Sequence, residues 1–174
     1  MKRNKLGILG ALALAVMLVV GVAALPSQAQ EDPPPIAVEP LTPRSSFEQA
    51  GSDFRAVFKV KMQGAGVDTL DLKDPSLTQV MKITIQPGAV FPWHTHPGPV
   101  IVNIVEGEFV YVPANECVHR TYLPGAALVD PGRGHVHTAY NPGDEPTVVV
   151  ATFFELPAQG PATIPVDPPT DCEL

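Results

Sequence analysis

At 174 residues, with a formal net charge of −7 and only two cysteines, the chain has room for one domain. Its acidic balance argues against nucleic acid and anionic lipid as partners. Loss of an N-terminal leader would remove three of the 11 basic residues and no acid, leaving eight bases against 18 acids, a net charge of −10.

Such a leader is written at the start. Lys2, Arg3 and Lys5 precede an uncharged apolar run from Leu6 to Leu25, and Pro26-Ser27-Gln28-Ala29 puts small residues three and one before a cut after Ala29. Residues 1–29 therefore read as a secretory signal peptide, and the protein is expected to be secreted or extracytoplasmic, with no membrane contact after cleavage. The run nearly reaches the length of a membrane span, so an uncleaved anchor is the alternative. No cysteine follows it, which removes lipid attachment there. Cys117 and Cys172, an even pair in an exported chain, suggest a disulfide that ties the C-terminal tail to the domain.

Residues 30–45 hold Pro33-Pro34-Pro35, Pro40 and Pro43 among few large apolar residues, the composition of an extended linker. Ser45 to Ala50 has the opening of a short helix. Ala56 to Met62 alternates apolar and basic side chains, as a half-buried strand does. From Thr78 the chain becomes a series of short β-rich runs punctuated by Gly and Pro. Thr78–Ile85 alternates and stops at Pro87-Gly88. Val100–Val105 reaches Glu106-Gly107, read as a hairpin turn into Glu108–Val112. Arg120–Leu123, Ala126–Val129, His135–Tyr140 and Thr147–Glu155 follow, each ended by turn residues. No segment after Pro75 carries a helical period. The fold class is all-β, an antiparallel sandwich or barrel over residues 46–157, with a proline-rich tail over 158–174 lying extended on the surface.

Within this rhythm, Trp93-His94-Thr95-His96 carries chemistry. On a strand the period of two puts both imidazoles on one face, and imidazole suits zinc, copper, iron and nickel. A site needs a further ligand, and His137 is available downstream.

Two segments resemble the paired motifs of the cupin superfamily, and in particular its small single-domain conserved barrels. In the first, Gly88 is followed after five residues by His94, Thr95 and His96, with Gly107 later. In the second, Gly125 is followed after five residues by Pro131, then Gly134, His137 and Asn141. The resemblance implies an antiparallel jelly-roll, or double-stranded β-helix, barrel with a metal between its sheets. It names His94, His96 and His137 as metal ligands. Two departures stand out. Gly132-Arg133 puts one extra residue between Pro131 and Gly134, which a loop can absorb, and Val100 stands where the family supplies a glutamate ligand. Three neutral imidazoles leave a divalent ion its full charge and at least one open position, the arrangement of a catalytic rather than a structural site. It also resembles cupin dioxygenases that bind iron without a carboxylate. A degenerate barrel whose histidines only hydrogen-bond is the alternative.

The expected cofactor is thus a divalent transition metal (Fe, Mn, Ni, Cu or Zn), and the expected partner a small-molecule ligand or substrate. An exposed jelly-roll edge makes a homodimer reasonable. His135, two before His137, faces the same way on a regular strand and would be a fourth ligand or a proton shuttle; a bulge at Gly134 would turn it outward. His119, beside Cys117, reads as a surface residue. Phe91, Trp93, Tyr111, Tyr122 and Tyr140 read as barrel core before pocket lining, and Glu106 and Glu108 as solvated turn. Phosphate-binding loops and nucleophile elbows are absent. The functions that follow are a secreted dioxygenase-like oxidoreductase, a non-catalytic module that binds or senses a small molecule or metal, and a purely structural barrel.

Overall fold

Strand β5 (Leu77–Ile85) shows how the sequence builds the sheets. Its inward positions Gln79, Met81, Ile83 and Ile85 are buried and the residues between them are half-buried, so one face packs and the other is covered only in part. The computed structural model describes residues 32, 34–47, 55–61, 67–73 and 77–174. The expected leader over residues 1–29 and its cleavage site lie outside them. The described residues contain no helix.

The remaining strands are β1 (Ile36–Pro40), β2 (Ser45–Ser46), β3 (Arg55–Lys61), β4 (Val67–Lys73), β6 (His94–Thr95), β7 (Val100–Glu106), β8 (Phe109–Pro113), β9 (Arg120–Tyr122), β10 (Ala127–Asp130), β11 (His137–Tyr140), β12 (Thr147–Leu156) and β13 (Ile164–Pro165). One sheet runs β1-β5-β12-β7-β10 with β2 also on β5; a second runs β13-β6-β11-β8-β9; β3 and β4 pair only with each other. All pairings are antiparallel. From β5 onward the chain passes back and forth between the two large sheets, the jelly-roll expected from the sequence.

That alternation corrects the reading of Glu106-Gly107 as a hairpin. β7 pairs with β12 and β10, while β8 pairs with β11 and β9. Gly107 lets the chain cross between sheets: its φ is +74°, and a Cβ there would lie 2.7 Å from Thr147 Oγ1 and 2.8 Å from the Pro146 carbonyl.

Side chains from both sheets, among them Ile85, Val149 and Phe153 from the first and Phe109 and Ala139 from the second, form the main core. Trp93, Val110 and Val112 form a second cluster. Ile85 and Val112 are wholly buried and Val149 is nearly so, and each such side chain is worth about 1.5–3 kcal/mol.

Three expectations about the flanks change. The segment read as linker supplies β1, whose Ile36 to Pro40 pair with Ile85 to Met81; proline is tolerated there because β1 is an edge strand. Ser45-Ser46, read as a helix opening, pairs with Thr78 and Leu77 instead; Phe47 is the last described residue of that segment. The tail is tied down as well as extended. β13 pairs with β6, Val166 donates to the Trp93 carbonyl at 2.9 Å, and Arg44 donates to the Pro157 and Gly160 carbonyls at 2.6 Å each. Cys117 and Cys172 form a disulfide with Cα atoms 5.3 Å apart, as the cysteine pair suggested. Strand β4 had no counterpart in the sequence reading.

Candidate metal centre

His94 on β6 pairs directly across from His137, the first residue of β11. Partners facing each other across an antiparallel ladder present their side chains on the same face, and His96 rejoins that face two residues on. The three rings cluster, with centroids 4.2 Å apart for His94 and His137, 4.9 Å for His94 and His96, and 5.2 Å for His96 and His137. Their ring nitrogens come within 4.8 Å of one another. All three are buried, at 4–7% exposure.

Each ring is held through the same nitrogen. His94 Nδ1 lies 2.7 Å from the Pro92 carbonyl, His96 Nδ1 lies 2.8 Å from the Ala162 carbonyl, and His137 Nδ1 lies 3.0 Å from Asp130 Oδ2. Carbonyl and carboxylate oxygens only accept, so Nδ1 carries the proton in every case and Nε2 keeps its lone pair. Metal-binding histidines are prepared in this way. Burial, and then the neighbouring His137, lower the pKa of His94 to about 3; burial lowers that of His96 too. Both rings are neutral at neutral pH and need shed no proton to take an ion.

Asp130 is the charge behind the cluster. It is 1% exposed and accepts from Tyr111 Oη at 2.6 Å, from the Gly132 backbone N–H at 2.7 Å and from His137. Burial alone would raise its pKa, but the hydrogen bonds from His137 and Tyr111 outweigh that and hold the carboxyl below its usual range. Burial, and then the Asp130 charge, push the Tyr111 phenol well above its own range, so it stays a donor. Its ring stacks on His137 at 4.9 Å.

The extra residue in the second motif is absorbed as expected. Gly132, Arg133 and Gly134 all adopt left-handed conformations, Arg133 N–H donates to the His96 carbonyl at 2.8 Å, and Gly134 N–H donates to Thr95 Oγ1 at 3.0 Å. The insertion thereby braces the first motif. Arg133 in turn pairs with Glu155.

A cavity of about 610 Å3, part of it open to solvent, lies against the three histidines. Val100 lines it, apolar and 2% exposed, where the family resemblance would put an acid. Among the described residues, no carboxylate joins the histidine cluster. The donor set fits an imidazole-binding transition ion and does not fit calcium or magnesium, which take oxygen ligands.

Other expected residues fall elsewhere. The His135 side chain, in the turn before β11 with its N–H on the Gly132 carbonyl, belongs to neither the cluster nor the cavity lining, because the irregular backbone denies it the facing that a regular strand would give; only its carbonyl reaches the site, 3.3 Å from His137 Nδ1. His119 is exposed, with ring nitrogens near Tyr140 Oη and the Glu173 carbonyl. Of the five aromatics only Phe91 lines the cavity. Trp93 and Tyr140 pack in the second cluster, and Tyr111 and Tyr122 in the main one.

Asp130 was missed because Asp-Pro-Gly reads as a turn, and its bond to the Gly132 N–H is indeed of that kind. The available signal was its place two residues after Leu128, on the buried face of β10. The Ala162 carbonyl had no side-chain signal at all.

Residues 81–153 match the cupin domain family. Nectarin-1 from Nicotiana langsdorffii x Nicotiana sanderae is 33% identical over 109 residues, covering 60% of this chain and 44% of its own. Germin-like protein subfamily 2 member 2 from Arabidopsis thaliana is 32% identical over 117 residues, covering 63% of this chain and 53% of its own. The chain thus spans about half the length of the curated relatives it matches. A solved cupin domain of an XRE family transcriptional regulator from Enterobacter cloacae superposes with a TM-score of 0.46 at 17% identity, over 71% of this chain and 99% of that one.

Proposed function

Residues 81–153 being a cupin domain, we propose that the protein is an exported cupin that holds one divalent transition ion on Nε2 of His94, His96 and His137 and acts as a dioxygenase-like oxidoreductase on a small organic molecule. The observation that carries this reading is that all three Nδ1 atoms are engaged by oxygen acceptors beside one cavity. When bound, such an ion supplies Lewis acidity and, for iron, manganese or copper, one-electron chemistry. The chain's own residues do the rest. Asp130 fixes the His137 tautomer and offsets part of the positive charge, Tyr111 keeps Asp130 in place, and the apolar wall formed by residues such as Val102 and Phe153 limits water around the bound molecule. Export is supported by the leader pattern and by the Cys117–Cys172 disulfide, since such bonds persist in oxidising compartments.

A second reading is a non-catalytic module that binds or senses its ligand. It is favoured by the cavity lining, in which Thr163 is the only polar side chain beside the three histidines among the described residues, so no separate acid or base faces the ligand. Elemental analysis joined to oxygen uptake, followed from anaerobic to aerobic conditions across a panel of small organic molecules, tests both. Stoichiometric redox metal and uptake in the wild type, both lost in His96→Ala, are expected. Absence of stoichiometric redox metal under native loading overturns the enzyme reading; metal with no uptake on any compound supports the second.

A further inference from the structure

Resting on the metal reading above, we propose that the cavity selects a small organic monoanion with a single oxygen-donor head, of carboxylate or phenolate type, and an apolar body. Two observations about this chain's own residues carry it.

The first is the lining. Beyond the histidines and Thr163, the cavity is walled by aliphatic and aromatic side chains, including Val100, Val102, Phe109, Val149 and Ala151. The apolar surface begins at the ligands themselves: the Phe91 ring lies 5.9 Å from that of His94 and the Phe153 ring 5.3 Å from that of His96. A polar group on the body of a bound molecule laid against this wall loses water and finds no partner among these side chains, which weakens binding, most of all for a charged group. Sugars, phosphates, amino acids and dicarboxylates therefore match this wall poorly. Each methylene laid against it gains about 0.8 kcal/mol, or nearly fourfold in affinity.

The second is charge. A divalent ion on three neutral imidazoles, with the single carboxylate of Asp130 behind His137, leaves one positive charge uncompensated in a buried, apolar setting. Val100 occupies the place where a glutamate ligand would have cancelled it. One anionic head on the ligand completes the balance; a second anionic group has nothing to meet.

The test uses the cobalt(II)-loaded protein, because cobalt reports its coordination in visible absorption independently of any turnover. Acetate, propanoate, butanoate, pentanoate, succinate and 1-butanol are titrated at fixed ionic strength, by absorption and calorimetry. The dissociation constant is expected to fall about three- to fourfold per added methylene, with succinate at least tenfold weaker than butanoate and 1-butanol leaving the cobalt bands unchanged. With cobalt bound in the wild type and lost in His96→Ala, a flat chain-length series, or succinate matching butanoate, or 1-butanol matching butanoate, overturns this proposal alone. Failure of cobalt to bind, or binding that His96→Ala leaves unchanged, overturns the metal reading beneath it.

Discussion

Exchanging Asp130 for asparagine keeps the shape of the side chain and removes its charge, and the structure dictates what must then go wrong. One carboxylate oxygen faces the Gly132 N–H at 2.7 Å; the other faces Tyr111 Oη at 2.6 Å and His137 Nδ1 at 3.0 Å. An amide has only one accepting oxygen. If its NH2 turns toward Gly132, two donors oppose each other in a fully buried place. If it turns toward His137, the imidazole either shifts its proton to Nε2, the nitrogen needed for the ion, or keeps its Nδ1–H on the longer contact to the His135 carbonyl at 3.3 Å alone. Either way a buried hydrogen bond is stranded, at about 1–3 kcal/mol of apo-protein stability. Loss of such a support for a ligating histidine typically weakens metal binding 10–100-fold, or about 1.4–2.8 kcal/mol. Competition titration of cobalt(II) or zinc(II) against a chelator of known affinity, on wild type and Asp130→Asn, measures this directly. Tyr111→Phe is the companion variant, expected to lower metal affinity less because the Asp130–His137 contact survives. A dissociation constant for Asp130→Asn within twofold of wild type would refute the tautomer-fixing role.

Three further outcomes follow from the packing. In the metal-free protein His94 has a pKa of about 3 against 6.5 when unfolded; the unfolded chain then binds more protons between those values, so stability is full above about pH 6.5 and falls by about 1.4 kcal/mol per pH unit toward pH 3 from this residue alone, and His94→Gln should flatten that slope in urea melts recorded from pH 7 to 4. Removing the disulfide with Cys117→Ser and Cys172→Ser opens a crosslink across 55 residues, a loss of about 4 kcal/mol in the chain-entropy account; an unchanged urea midpoint would show that the crosslink contributes nothing to stability. Asn141 is wholly buried and its amide joins the Ile85 and Glu145 carbonyls and the Gly143 N–H, so Asn141→Ala should cost about 3 kcal/mol or more, read as a lower midpoint with the metal stoichiometry of the surviving folded fraction intact.

How far the sequence revealed this molecule depended on where each contact keeps its signal. The alternation of β5 and the long β-branched run of β12 were legible because burial on one face of a sheet writes itself into every second residue. His94, His96 and His137 were legible because motif spacing records the geometry of two short strands. Asp130 was hidden by turn chemistry that is also real. Pairing is long-range, so Glu106-Gly107 looked like a hairpin although its flanking strands lie in different sheets. The flanks misled for a related reason. Proline content suggested linker, yet edge strands accept proline, and both β1 and the tail reach the cavity: Val38, Ala162 and Thr163 help line it. The orientation of His96 rests on a backbone carbonyl, for which no residue type is diagnostic.

Anomalous diffraction from a crystal of the protein loaded with cobalt or zinc locates the ion without reference to turnover. A single strong peak is expected about 2.0–2.1 Å from Nε2 of His94, His96 and His137, with Nδ1 of each ring still on Pro92, Asp130 or Ala162. A peak bound through Nδ1, a peak at surface carboxylates alone, or no peak between the three rings would contradict it.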